Sequence, residues 1–327
     1  MKKLYKKIAI TGGAGYVGSR LVPSLLQDGY DVTVIDTFWY GEGVGDFKRV
    51  CGDIRDEELL RRALKGADVV IHLACISNDP SFELNPNLGK SINFDAFSGL
   101  LRAVRENNVP RFIYASSSSV YGVKSELNVC ETSPCQPLTD YSKYKMMCED
   151  VLNKEGVGDG EYVILRPATV CGHAPRMRFD LTVNILTLHA LVNKKIRVFG
   201  GSQLRPNIYI QDMVDVYRLL IESPREKIHQ KTFNAGFQNR SVRDIADLVK
   251  KQIGDEAIEI AAEPTDDMRS YHINSDKIYQ ELHFKPRHMI EEAVESIVQA
   301  YHSGAYQDPM KNPHYYNIRK MQELKIS

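Results

Sequence analysis

No stretch of this 327-residue chain stays apolar for the roughly 20 residues that a membrane span requires, so no spanning helix is expected. An excess charge of one sign is also missing. The 42 Lys and Arg balance the 42 Asp and Glu, leaving no global field to recruit nucleic acid or a membrane surface. Anions must therefore be held by local basic sites. Cysteines are few and scattered, at 51, 75, 130, 135, 148 and 171, a pattern of reduced thiols in a cytoplasmic protein rather than a disulfide framework. Cys130 and Cys135 are close enough to suggest zinc, but no second Cys or His pair is suitably spaced, so no metal is expected. The basic opening from Met1 to Lys7 has the charge of a secretory leader, yet Gly12 and Gly13 break the apolar run behind it. Repeats and low-complexity segments are absent, and the length suits about two lobes at about 150 residues each.

What is present begins at Lys7. A β-branched apolar run, Lys7 to Thr11, stops at Gly12-Gly13-Ala14-Gly15-Tyr16-Val17-Gly18, and helical periodicity (Val17, Leu21, Val22, Leu25, Leu26) follows. This is the strand, turn and helix of a dinucleotide cradle. Gly12 allows the sharp turn, Gly15 the approach of a pyrophosphate, and Gly18 the packing of helix on strand, while the helix N-terminus faces the phosphate charge. A second strand, Asp31 to Ile35, ends at Asp36, where a carboxylate accepts from ribose hydroxyls and repels a 2′-phosphate, favouring NAD over NADP. Asp53 and Ile54 close a further short strand and are placed at the adenine; Asp53 is alternatively the cap of a helix from Glu57 to Lys65. The apolar run Asp68 to Ala74 reads as a buried parallel strand that brings Leu73, Ala74 and the loop Ile76 to Ser81 to the cofactor edge. A helix from Ser91 to Asn107 and a strand from Arg111 to Ala115 continue the alternation. The expected fold class is α/β, a doubly wound parallel Rossmann sheet with a smaller, interleaved α/β lobe.

The fourth major strand runs into Ser116-Ser117-Ser118-Ser119-Val120-Tyr121-Gly122. Further on, Tyr141-Ser142-Lys143-Tyr144-Lys145 opens a helix behind Asp140 as its cap. Tyr141 and Lys145 are one helical turn apart, so the ammonium and an oxidised nicotinamide should draw the phenol pKa down from about 10. A serine hydroxyl at the strand end then holds a substrate oxygen while the tyrosine takes its proton.

With these residues in hand the chain resembles the extended short-chain dehydrogenase/reductase family, the nucleotide-sugar epimerases and dehydratases. The motifs are T-G-G-A-G-Y-V-G, G-D-I-R-D, H-L-A-C, S-S-S-S-V-Y-G, Y-S-K-Y-K and L-R-P-A-T-V-C-G, in that order. The resemblance implies tightly held NAD, a nucleoside-diphosphate sugar as substrate, and a homodimer formed by the helices around Tyr141 and Ser91 to Asn107. It maps the catalytic serine, tyrosine and lysine to Ser117, Tyr141 and Lys145. Tyr16, Val17 and Pro167 join the cofactor contacts, and Ser118, Asn184, Phe199, Arg205 and Arg269 the substrate contacts. Arg205 and Arg269 would fork onto the diphosphate. Residues 1–165, completed by about 206–237, would bind NAD, and 166–205 with 238–327 the sugar nucleotide. Ser118 and Ser119 stand where the dehydratase branch carries acids, which disfavours dehydration. The expected activity is 4-epimerisation, with hydride taken from and returned to sugar C4. The alternatives are a C4 dehydrogenase or keto-sugar reductase with net redox change, and, remotely, a nucleotide-binding scaffold without chemistry. Cys171 and His173 are a candidate acid/base pair at a second carbon, Arg176 and Arg178 candidates to close over the substrate, and the tail after Gly304 a strap or an oligomer arm.

Overall fold

The computed structural model describes residues 3–124, 126, 128–265 and 270–326. Strand and helix alternate through β1 (Lys7–Thr11), α1 (Gly18–Gln27), β2 (Asp31–Asp36), β3 (Lys48–Cys51), α2 (Glu57–Ala63) and β4 (Val69–His72). Two short helices, α3 (Asp79–Glu83) and α4 (Pro86–Lys90), lead through a π-helical turn, Ser91–Asp95, into α5 (Phe97–Glu106), β5 (Arg111–Ala115) and α6 (Asp140–Glu155). Next come β6 (Glu161–Pro167), β7 (Thr169–Cys171), α7 (Thr182–Asn193), β8 (Lys195–Phe199), β9 (Leu204–Tyr209), α8 (Ile210–Glu222), α9 (Arg225–Ile228) and β10 (Lys231–Ala235). The chain ends with β11 (Gln238–Ser241), α10 (Val242–Ile253), β12 (Glu259–Glu263), α11 (Asp276–Leu282), α12 (Ile290–His302) and α13 (Asn317–Glu323).

Seven strands form one sheet in the order β10-β6-β5-β4-β1-β2-β3, every neighbouring pair parallel. Side chains alternate across its faces. Ile8, Ile10, Val32 and Val34 pack against α1 and α8 on one side, while Ala9, Ile35, Val70, Phe112 and Ile164 pack against α5 and α6 on the other. A sheet buried on both faces explains the unbroken apolar runs of β1, β4 and β5. The order reverses between β1 and β4, so the cleft opens beyond the carboxyl ends of those two strands.

The remaining elements form a smaller layer. Strands β11, β9 and β7 make one sheet and β12 with β8 another, and α7, α10 and α12 close a core of Val183, Ile196, Val198, Ile245 and Val294. After α12, Tyr306, Tyr315 and Tyr316 pack on Phe179 and Tyr16, so the tail is a strap laid back across the cleft.

Three local expectations are corrected. The cap of α2 is Asp56, whose carboxylate accepts from the Leu59 N–H at 2.9 Å, whereas Asp53 is turned onto Arg55. The cap of α6 is Thr139, in a reciprocal box with Ser142. The helix expected from Ser91 is divided, because the π-helical turn at Ser91–Asp95 inserts an extra residue before α5.

Candidate active site

A cavity of about 320 Å³ opens at the sheet's carboxyl edge. It is large enough for part of a small-molecule ligand. One end is built by the turn after β1. Gly12 has φ +75°, and a Cβ there would lie 2.5 Å from the Ala74 amide nitrogen; a Cβ on Gly18 would run into the Gly13 carbonyl. Both positions admit only hydrogen, for lack of space and, at Gly12, backbone conformation as well. Gly15, Tyr16 and Val17 line the same wall. Asp36, at the end of β2, accepts from the Ala14 N–H at 3.0 Å and the Phe38 N–H at 2.8 Å, leaving lone pairs toward the cavity. Burial, the largest influence on this carboxyl, pushes its pKa up. Asp53, Ile54, Leu73, Ala74 and Pro167 also border the cavity, so the structure brings all the expected cofactor residues to one place.

The other end holds Ser117, Ser118, Ser119, Tyr141 and Lys145. Ser117 leaves β5 extended, its hydroxyl accepts from the Ser119 N–H at 3.1 Å, and it lines the same cavity as the Tyr141 phenol. Lys145 follows Tyr141 by one turn of α6; its ammonium is 6.0 Å from the Tyr141 ring centre and donates to the Ala115 carbonyl at 2.8 Å. The expected lowering of the Tyr141 pKa is reversed in the protein's own field. Burial raises it well above the ordinary value, Cys75 and Asp79 add to the rise, and Arg178 and Ser117 oppose it. Lys145 gives one of its three N–H donors to β5, and Arg178 is a second cation that opposes the rise.

Behind the serines lies a buried network. The Arg166 guanidinium pairs with Glu149 at 2.6 Å and donates to the Tyr121 hydroxyl at 2.8 Å, which donates to Asn234 of β10, also at 2.8 Å. Ser116 donates to Glu149. This network fixes the strand end that presents Ser117. Ser116, Tyr121 and Arg166 stand in motifs of the sequence, but Glu149 and Asn234 were missed, although Glu149 continues the face of Tyr141 and Lys145 by one further turn.

The expected substrate residues divide. Ser118 lines the cavity. Arg205 stands behind it, its guanidinium 5.6 Å from the ring centre of Tyr271, which lines the wall. Asn184 is fully buried elsewhere, its amide bonded to the Gly172 N–H, the Tyr16 hydroxyl and the Arg178 carbonyl, so it ties Tyr16 to the smaller layer instead of reaching a phosphate. Phe199 is 56% exposed and away from the cavity, because the alternation of β8 turns Ile196 and Val198 inward and Phe199 out. Arg269 lies outside the described residues. Cys171 and His173 do not face the cavity: the thiol donates to the Ile208 carbonyl and the imidazole bonds Tyr306 at 2.7 Å.

Two arginines from the segment between β7 and α7 do enter. Arg178 pairs with Asp180 at 2.8 Å and donates to Ser77 at 2.9 Å. Arg176, 5% exposed, lies 4.4 Å from the ring centre of Tyr40 and donates to Asn317, while its Nε has no partner. Burial, the main cause, draws its pKa down to about 10. A buried, incompletely satisfied cation beside a glycine cradle suits a dinucleotide carrying phosphate charge.

This chain is 32% identical over 326 residues to an uncharacterized UDP-glucose epimerase of Bacillus subtilis, covering 92% of this chain and 99% of that one. Its fold is similar to a UDP-glucose 4-epimerase from Thermotoga maritima solved with UDP-glucose, with TM-score 0.83, 26% identity, and 92% of this chain and 100% of that one covered. It is likewise similar to MoeE5 in complex with UDP-glucose and NAD, with TM-score 0.81, 25% identity, and coverage of 92% and 100%. A family profile described as "NAD dependent epimerase/dehydratase family" matches residues 8–236, from β1 through β10, and the chain therefore belongs to that family.

Proposed function

We propose that this protein is a nucleotide-sugar 4-epimerase, acting on a UDP-hexose. The observation that supports it best is the single cavity that joins the glycine cradle and Asp36 to Ser117, Tyr141 and Lys145. NAD, when bound, supplies a reversible two-electron acceptor for a sugar carbinol. Gly12, Gly15, Gly18, Asp36, Asp53 and Pro167 hold the cofactor. Tyr141 takes the proton of the sugar C4 hydroxyl, and Ser117 donates to the same oxygen and keeps it within reach. Lys145, tied to the Ala115 carbonyl, fixes the first turns of α6 against β5. Arg178 offsets part of the burial that would otherwise keep the phenol protonated.

Ser118 and Ser119 offer hydroxyls on the loop after Ser117, and a hydroxyl is a poor acid or base for eliminating water. Ser118, on the cavity wall, contacts the sugar, and Arg205 approaches the diphosphate beside Tyr271. Residues 1–165 with about 206–237 form the cofactor lobe and 166–205 with 238–327 the substrate lobe, a division supported by β10 pairing with β6, with β9 at its margin pairing instead in the smaller sheet. The protein is proposed to be a cytoplasmic homodimer; the exposed Met147 on α6 and the half-buried Phe94 and Tyr144 beside it supply an apolar surface for a second copy.

Incubation of the purified chain with UDP-glucose and related UDP-sugars, followed by proton NMR, tests the activity. Inversion at C4 without added NAD and without net change in NADH absorbance is expected. Stoichiometric NADH formation would assign a dehydrogenase, and loss of water from the sugar a dehydratase.

A further inference from the structure

We infer that Arg176, held in place by Asn317 of the C-terminal strap, is a clamp on the phosphate groups of the bound dinucleotide. The inference rests on the family's cofactor being NAD, and is independent of which sugar the enzyme turns over.

The position of the arginine carries the argument. Its backbone N–H donates to the Ser19 hydroxyl at 3.2 Å, which anchors it to the first turn of α1 beyond the glycine turn. Its guanidinium lies over Tyr40, four residues beyond Asp36, and interacts electrostatically with Asp36. Thus Arg176 faces the stretch between the α1 N-terminus and the end of β2, where the phosphates and adenosine ribose of a dinucleotide lie in such a cradle. Arg178, two residues on, is the arginine that acts on Tyr141 at the reactive end. The two guanidinium groups are neighbours joined through Asn317 and Ser77, with Arg176 on the side of Asp36 and Arg178 on the side of Tyr141.

The satisfaction of the two guanidinium groups differs in the same sense. Arg178 has a bidentate carboxylate, Asp180, and a hydroxyl, Ser77. Arg176 has one carboxamide oxygen, an aromatic face and a buried Nε without a partner. A planar, permanently charged fork with donors to spare matches phosphate oxygens. Asn317 is the positioning residue. Its carboxamide oxygen accepts from Arg176, its Nδ2 donates to Ser77 at 3.2 Å, and its backbone N–H donates to Asp180 at 3.2 Å. The strap thereby aims the arginine at the cofactor while touching both walls of the cleft.

The test uses the full-length chain loaded with NADH. Release of NADH on dilution into excess NAD is followed by fluorescence, and ADP-ribose, adenosine and UDP are titrated separately as competing or direct ligands. Arg176→Gln should release NADH about 10- to 100-fold faster and weaken ADP-ribose by a similar factor, leaving adenosine and UDP within about twofold. Arg176→Lys, which retains charge but not the fork, should fall between. Asn317→Ala should weaken ADP-ribose about three- to tenfold, with the same selectivity. Thermal unfolding and circular dichroism establish that each variant is folded; if Arg176→Gln does not fold, the Lys and Asn317 variants decide. Unchanged ADP-ribose affinity in the folded variants, or a loss confined to UDP, would overturn the assignment. Failure of the epimerase reading would leave these binding results untouched, because none requires turnover.

Discussion

Tyr141 is partly buried on the cavity wall, where desolvation holds its proton, and its acidification depends on charge brought near it. Tyr141→Phe should keep the cofactor and lose about 10²- to 10⁴-fold in turnover, read as NAD content after desalting and as product by NMR. Asp36 governs the choice of cofactor. Its carboxylate, partly tied to Ala14 and Phe38, would face a 2′-phosphate at short range. Asp36→Ser should raise NADP affinity relative to NAD by about tenfold or more in a fluorescence titration. His72 sits in the core against Thr11 at 2.7 Å, and burial lowers its pKa to about 3. The unfolded chain takes a proton near 6.5 that the folded protein refuses, so stability is complete above that pH and falls below it. The loss is up to about 1.4 kcal/mol per pH unit between about 6.5 and 3. The melting curve of His72→Gln should show a shallower acid slope than that of the parent chain. These residues were legible in the sequence where one local motif fixed them. Arg176 was seen but its partner was not: Asn317 is 141 positions away, and no periodicity links the two.

Elements decide how those residues are presented. Tyr141 is in the first turn of α6, and that turn depends on Thr139, whose hydroxyl accepts from the Ser142 N–H at 3.3 Å and donates to Asp79 at 2.5 Å. Thr139→Ala should cost about 1 kcal/mol of stability, measured by denaturant unfolding, and should lower kcat more than it raises KM, because the phenol loses its fixed approach. The strands and helices were legible because alternation and 3.6-residue periodicity are local. Placing Phe199 was harder. The string Lys195–Phe199 shows that alternate residues share a face, but the face that is buried is set by α7 and α10 packing on Ile196 and Val198. The π-helical turn at Ser91–Asp95 was hidden for a related reason, since Ile92 and Asn93 are turned inward by packing and by the bonds of Asn93 with Ile76 at 2.8 and 2.9 Å.

At the scale of the molecule, the cleft is closed by segments from distant parts of the chain. The strap buries Tyr306, Tyr315, Tyr316 and Met321, and presents Asn317 to the cavity. Deleting everything after Gly304 should uncover Phe179 and Tyr16, lower the melting temperature by several degrees, and release the cofactor on desalting. A protein that melts unchanged and still retains NAD would show the strap to be dispensable.

The return of β10 to pair with β6 has a consequence during synthesis. Between the emergence of β6 from the ribosome and that of β10, β6 lacks its outer neighbour, leaving one margin of the main sheet open to whatever strand it meets. The nascent polypeptide must keep that margin from pairing with another chain until Ala235 is available, so slow translation across this interval should favour aggregation and prompt chaperone engagement.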